Sequence, residues 1–152
     1  MMETIFKLSN LLVFPFWVLM LLLPRWRWTE RIMRSPWVVS GPALLYALLM
    51  LPRLSEHAPA LLRPNLHDIA GLLGSHAGAT ISWTHFLAFD LFVGRWIYLD
   101  GRRRGISAWL TAPILFLTLL VGPVGLLLHL CLRKIFGRAD ATAPGSDSPL
   151  TF

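Results

Sequence analysis

At 152 residues the chain has room for one domain, and 55% hydrophobic against 14% charged residues excludes the usual composition of a soluble globular protein, where about one-quarter of residues are charged. A mean hydropathy of +0.60 points to a membrane instead. The net charge of +6 would suit nucleic acid, but the arginines gather at the ends of apolar runs, where phospholipid headgroups hold them, and nucleic-acid binding is set aside.

The first apolar run, residues 5–24, is broken only by Lys7, Ser9 and Asn10. It has neither the basic start nor the small-residue cleavage site of a signal peptide, and no Ser/Arg-rich leader precedes it, so it reads as a spanning helix. Phe6, Asn10, Phe14, Trp17 and Leu21 share a face, and the Asn10 amide predicts that this face looks inward. Residues 24–35 read as a basic interfacial loop in which Trp26 and Trp28 lie among Arg25, Arg27, Arg31 and Arg34. A second span covers 36–51, with Ser40, Ala43 and Ala47 as a small-residue contact stripe and Tyr46 as its main polar group. Residues 52–78 read as the longest connection, with a short interfacial helix over Leu66–Leu73. His57, His67 and His76 lie there at a spacing that matches no metal motif, and no metal is expected.

The third span, 79–99, is the most informative. It carries His85, Asp90 and Arg95, and an ionisable side chain at bilayer depth costs about 2.5–3.5 kcal/mol on insertion scales. Their five-residue step turns each about 140° from the last, so the helix holding them must be touched on several sides. His85, Phe89, Phe92 and Trp96 do share one stripe, an aromatic wall beside a charged centre. The tight basic turn at 100–105 follows, and then a fourth span over 106–132. Its face of Thr111, Leu115, Thr118, Gly122, Gly125 and His129 is small and polar and is expected inside the bundle, with His129 as an interface residue. Cys131, the single cysteine, excludes an internal disulfide.

The expected architecture is therefore all-α, a polytopic membrane protein of four transmembrane helices in a small bundle. It comprises a domain over 1–134 and a polar, disordered tail over 135–152. Four spans put the amino terminus, the 52–78 connection and the tail on one side, and both arginine loops on the other. The loop arginines then favour both termini outside. By depth, Asn10 is the expected partner of His85, and Tyr46 that of Asp90.

The run from Ala79 through Trp83, His85, Phe89 and Asp90 to Arg95, followed by Tyr98, Asp100–Gly101 and Gly122–Pro123–Val124–Gly125, resembles the abscisic-acid-deficient-four-like family. Phe6–Lys7–Leu8–Ser9–Asn10 with Pro15–Phe16–Trp17 looks like the bacterial branch of that family, and the resemblance covers nearly all of residues 3–134. It implies a multi-pass protein, here of a bacterial inner membrane, and, by analogy with plastid members associated with neoxanthin synthesis, chemistry on an epoxy-carotenoid. Converting an epoxide to an allenic alcohol needs a proton delivered toward oxygen and another removed from a neighbouring carbon, and no redox cofactor. On that reading Asp90 is the base, His85 the proton donor and Arg95 holds Asp90 or a substrate hydroxyl, while Asn10, Tyr46, Phe89, Phe92 and Trp96 bind substrate. The alternative is a non-catalytic membrane subunit that binds pigment or lipid or stabilises a larger complex, with His85, Asp90 and Arg95 as interhelical hydrogen-bonding groups. The partners expected are membrane lipid and a carotenoid, with a membrane-protein complex or a homo-oligomer also open. The two readings separate on whether His85 and Asp90 open onto one cavity.

Overall fold

The structure, a computed structural model, describes residues 1–136, and all regular structure among them is helical. The tail expected to be disordered lies, from residue 137 on, outside the described residues.

Helix α1 spans Met2–Leu22. It turns inward the stripe Ser9, Val13, Trp17 and Met20, while Phe6 and Phe14 of the expected inward face are exposed. Two local features account for this rotation. The Ser9 hydroxyl donates to the Phe6 carbonyl at 2.8 Å and so is buried without an unmet donor. The Trp17 ring rests on Gly94, where any β-carbon would strike it. The basic loop contains a helix, α2, Arg27–Arg34. Thr29 and Met33 face inward, and Glu30 pairs with Arg34 one turn on, at 2.5 Å.

Next come a 3₁₀ turn at Pro36–Val39, α3 at Ser40–Met50, a second 3₁₀ turn at Leu51–Arg53 and α4 at Leu54–Leu62. These join into one helical run of 27 residues, so the second apolar element continues through half of the expected connection. Pro36 and Pro52 open the two 3₁₀ turns, where a missing N–H is tolerated. Pro42 and Leu49 are the buried residues of α3, and Ser40 and Ala43 are exposed, so the small-residue stripe is not its contact face. Helix α5, Leu66–Gly74, matches the expected short helix and is capped by Asn65, whose side chain accepts the Asp68 N–H at 2.9 Å.

Helix α6, His76–Arg103, is the axis of the molecule. Its 28 residues extend about 42 Å, and it packs against α1, α3 and the two helices that follow, as its three-directional polar groups predict. Helix α1 runs parallel to it: Asn10 meets Trp83, Trp17 meets Gly94, and the Pro24 carbonyl accepts from Tyr98.

The fourth apolar run does not form a single helix. It divides into α7, Ala108–Leu120, and α8, Gly122–Phe136, separated by Val121 (φ −146°, ψ 73°). Pro123 has no N–H and its ring crowds the carbonyl four residues back, which weakens a helix; α1 and α7 continue through Pro15 and Pro113, but here Gly122 precedes the proline and the helix breaks. The chain reverses there. Gly125 lies directly on the Thr118 backbone, where a β-carbon would collide, and Thr111 and His129 both lie against Gly101. Helices α7 and α8 are thus an antiparallel hairpin. Its tip, Gly122, meets Asp90 at the middle of α6, and α8 returns to the carboxyl end of α6. The expected inward face survives the reversal, since Thr111, Leu115, Thr118, Gly122, Gly125 and His129 are all buried. The end of α8, however, lies beside the arginine loops and not with the amino terminus.

Two helical runs, Met2–Leu22 and Pro36–Leu62, are long and apolar enough to cross a membrane. Helix α6 is longer than either, but His85, Asp90 and Arg95 make it more polar. Helix α7, though apolar, is short.

Candidate functional site

The residues singled out in the third apolar run are not brought together. The His85 ring sits among Tyr46, Phe86 and Phe89, with centroids 5.2, 6.1 and 4.7 Å away. Asp90 faces the other way, against Gly122 at the start of α8, with no hydrogen-bond partner among the described residues. Tyr46 therefore meets His85 rather than Asp90. Asn10 accepts from Trp83 Nε1 at 3.2 Å and donates to the Phe6 carbonyl at 2.7 Å, so it does not partner His85. Arg95 donates to the carbonyls of Met33 at 2.6 Å and Arg34 at 3.0 Å, closing the carboxyl end of α2. It holds α2 to α6 and touches neither His85 nor Asp90.

The aromatic stripe does extend along one side of α6. Phe89 and Phe92 are 58% and 52% exposed, and Trp96 is half-buried against α8. One turn beyond Trp96 the same stripe reaches Asp100. Here the structure assembles a polar cluster that sequence reasoning missed. Asp100 Oδ2 accepts from His129 Nε2 at 2.9 Å, and both carboxylate oxygens accept from Arg104 Nε at 3.0 Å. Arg133 Nε lies 3.7 Å from the same carboxylate, and its guanidinium covers the Trp96 ring at 5.4 Å. Trp96 in turn meets the His129 ring edge-on at 5.4 Å.

Local sequence explains each position. Asp100 and Arg104 are four apart on the last turns of α6, and the hairpin carries His129 and Arg133, also four apart, back to that level. Gly101 lets α7 and α8 close in, with its missing β-carbon 3.2 Å from Thr111 Oγ1 and 3.9 Å from His129 Cε1. His129 is 0% exposed, and its Nδ1 has no partner among the described residues. Three donor groups thus converge on one carboxylate: His129, Arg104 and, at longer range, Arg133. The carboxylate is 15% exposed, against 0% for His129 and 27% for Arg104 and Arg133, so a molecule on the aromatic stripe would meet it together with the two guanidiniums.

Among the described residues, no three His, Cys, Asp or Glu side chains are grouped to hold a metal ion. A separate cleft of about 310 Å³ lies between α1, α6 and α7, lined by Met20, Tyr98, Arg102, Thr111 and Leu115, and Asp100 does not line it. The one advance signal of the cluster was Gly122–Pro123 at the middle of an apolar run, which permits a reversal.

A family model described as ABA DEFICIENT 4-like matches residues 4–129. The chain belongs to the ABA DEFICIENT 4-like family. The match takes in the aromatic stripe, Asp100, Arg104, the hairpin tip and His129, and stops short of Arg133. Among curated relatives, Protein ABA DEFICIENT 4, chloroplastic, of Arabidopsis thaliana is 29% identical over 139 residues, covering 88% of this chain and 62% of the relative. The chain thus spans less than two thirds of that relative's length. No solved structure matches.

Proposed function

We propose that this ABA DEFICIENT 4-like protein is a multi-pass membrane protein that isomerises the oxygenated end group of an epoxy-carotenoid or related polyene. In this topology α1, the 36–62 run and α6 cross the bilayer, while the α7–α8 hairpin enters to mid-depth and returns. The arginine end then holds Arg25, Arg27, Arg31, Arg34, Arg102, Arg103, Arg104, Arg133 and Lys134, against Lys7, Arg53 and Arg63 at the other, and the positive-inside rule makes the arginine end cytoplasmic. A bacterial inner membrane is the compartment proposed, on the likeness of the amino-terminal run to the bacterial branch.

The observation that carries the reading is the outward aromatic stripe running into a part-exposed Asp100 held from behind by buried His129. A polyene lying on Phe89, Phe92 and Trp96 from the lipid side has its oxygenated end at Asp100, about 16 Å along the axis from Phe89. Asp100 takes the proton from the polyene-chain carbon bonded to the epoxide, the freed pair forms the second double bond of the allene as the adjacent C–O bond opens, and Arg133 steadies the oxygen as it becomes negative. The proton then returns from Asp100 to that oxygen. Atoms balance and no redox cofactor is required. His129 orients Asp100 from behind. Asp100–His129 replaces His85–Asp90 in this scheme because the latter two face different helices.

A second reading, a pigment-binding subunit without catalysis, is favoured by the openness of the stripe along its length. Expression in cells making defined epoxy-carotenoids, with pigment analysis of cells and of purified protein, separates them. Conversion that disappears in Asp100→Asn while pigment still co-purifies supports the isomerase. Pigment retained without conversion supports the subunit, and neither result would refute both readings.

A further inference from the structure

A different surface, on the side of α6 that faces α2, carries a second site. Between α2 and the carboxyl end of α6 lies a cleft of about 560 Å³, lined by Arg34, Arg95, Leu99, Arg102 and Arg103 around Glu30. Glu30 accepts from Arg34 at 2.5 Å and Arg102 at 2.7 Å, which spends its charge on those two. Those bonds, the Arg34 one first, hold its carboxyl below the usual range. Arg95 donates only to neutral backbone carbonyls, and Arg103 makes no hydrogen bond among the described residues. Among the described residues, two guanidiniums therefore share one cleft with no carboxylate bonded to either, an arrangement that a bound anion relieves.

The surroundings decide what kind of anion. Trp26 and Trp28 at the start of α2, and Trp37 just after it, are exposed, and Trp109 is exposed at the start of α7, so indoles ring this end of the molecule. Exposed indoles beside arginines mark headgroup depth, and the cleft has an apolar wall in Leu99. We propose that the cleft seats the phosphate of an anionic phospholipid between Arg95 and Arg103, with the acyl chains passing down into the bilayer. A free phosphate offers the same charge but nothing for the apolar wall and the indoles.

The test uses the full chain, purified in neutral detergent and stripped of lipid. Binding of phosphatidylglycerol, phosphatidylcholine and inorganic phosphate is followed by native mass spectrometry and by lipid-induced thermal protection. Phosphatidylglycerol is expected to bind about tenfold more tightly than phosphatidylcholine, whose phosphate carries the same charge but brings a choline cation up against Arg95 and Arg103. Arg103→Gln, an exposed position whose loss leaves the fold intact, should erase that preference. Arg31→Gln, on α2 outside the cleft and over the Trp28 ring, should leave it within about twofold. Equal binding of the two lipids overturns the proposal, as does an Arg31→Gln effect as large as that of Arg103→Gln, which would mean diffuse attraction. Inorganic phosphate protecting as well as the lipid would make the cleft a free-anion site and overturn it too.

Discussion

Asp100→Asn removes one negative charge from a cluster in which one histidine and two arginines converge on a single carboxylate. Asn keeps one acceptor oxygen but turns a donor NH₂ toward groups that are themselves donors. A charge-assisted hydrogen bond contributes about 1.5–3 kcal/mol, and the His129 bond at 2.9 Å is the one whose donor is fully buried. The Arg104 and Arg133 side chains are each 27% exposed, so solvent screens their share. A net loss of about 2–3 kcal/mol is expected. Equilibrium unfolding in detergent at neutral pH measures it, and a double-mutant cycle with His129→Phe should return a coupling of about 1–3 kcal/mol, because the two side chains touch. Unchanged stability in Asp100→Asn, or zero coupling to His129→Phe, would refute the assignment of this cluster as a joined unit.

Asp90→Asn should leave stability unchanged or raise it, because Arg95 is bonded to α2 carbonyls and is not left unpaired, while insertion becomes easier by up to about 3 kcal/mol; a less stable variant in detergent would show an ion partner for Asp90. Gly125→Ala places a methyl on the Thr118 backbone, and an overpacking cost of about 1–3 kcal/mol should appear in thermal unfolding, whereas a neutral effect would mean that α7 and α8 do not fold back on each other. On a background without Cys131, single cysteines at Ser107 and Lys134 should label from the same membrane side as one at Arg31, with one at Arg63 labelling from the other; opposite labelling of Ser107 and Lys134 would restore a full fourth crossing.

Several features of the site were readable from spacing alone. His85, Phe89, Phe92 and Trp96 fall on one stripe by arithmetic, and the structure keeps them on one side of α6. Asp100 extends the same stripe by one turn, yet it reads as a turn residue until its partners are known. Asn10 and Tyr46 show the limit in reverse. Depth along each helix made them neighbours of His85 and Asp90, but azimuth decides contact, and Trp83 stands where His85 was expected. Arg95 reads as a membrane charge in search of a carboxylate. Backbone carbonyls at the end of α2 satisfy it instead, and no side-chain inventory includes those.

Sequence by itself determined that the chain is helical and apolar, where the arginines and indoles concentrate, and that Thr111, Leu115, Thr118, Gly122, Gly125 and His129 face inward. These follow from composition and the 3.6-residue period, which are local properties. Only the tertiary structure decided that α8 turns back on α7 and that His129 meets Asp100. Gly122–Pro123 permits a break, but a break has no direction of its own. The direction comes from what lies beside it: Thr118 small enough for Gly125 to approach, and a carboxylate on α6 to receive His129 and Arg133. Periodicity gives a residue's bearing around its own axis and says nothing of which helix stands there.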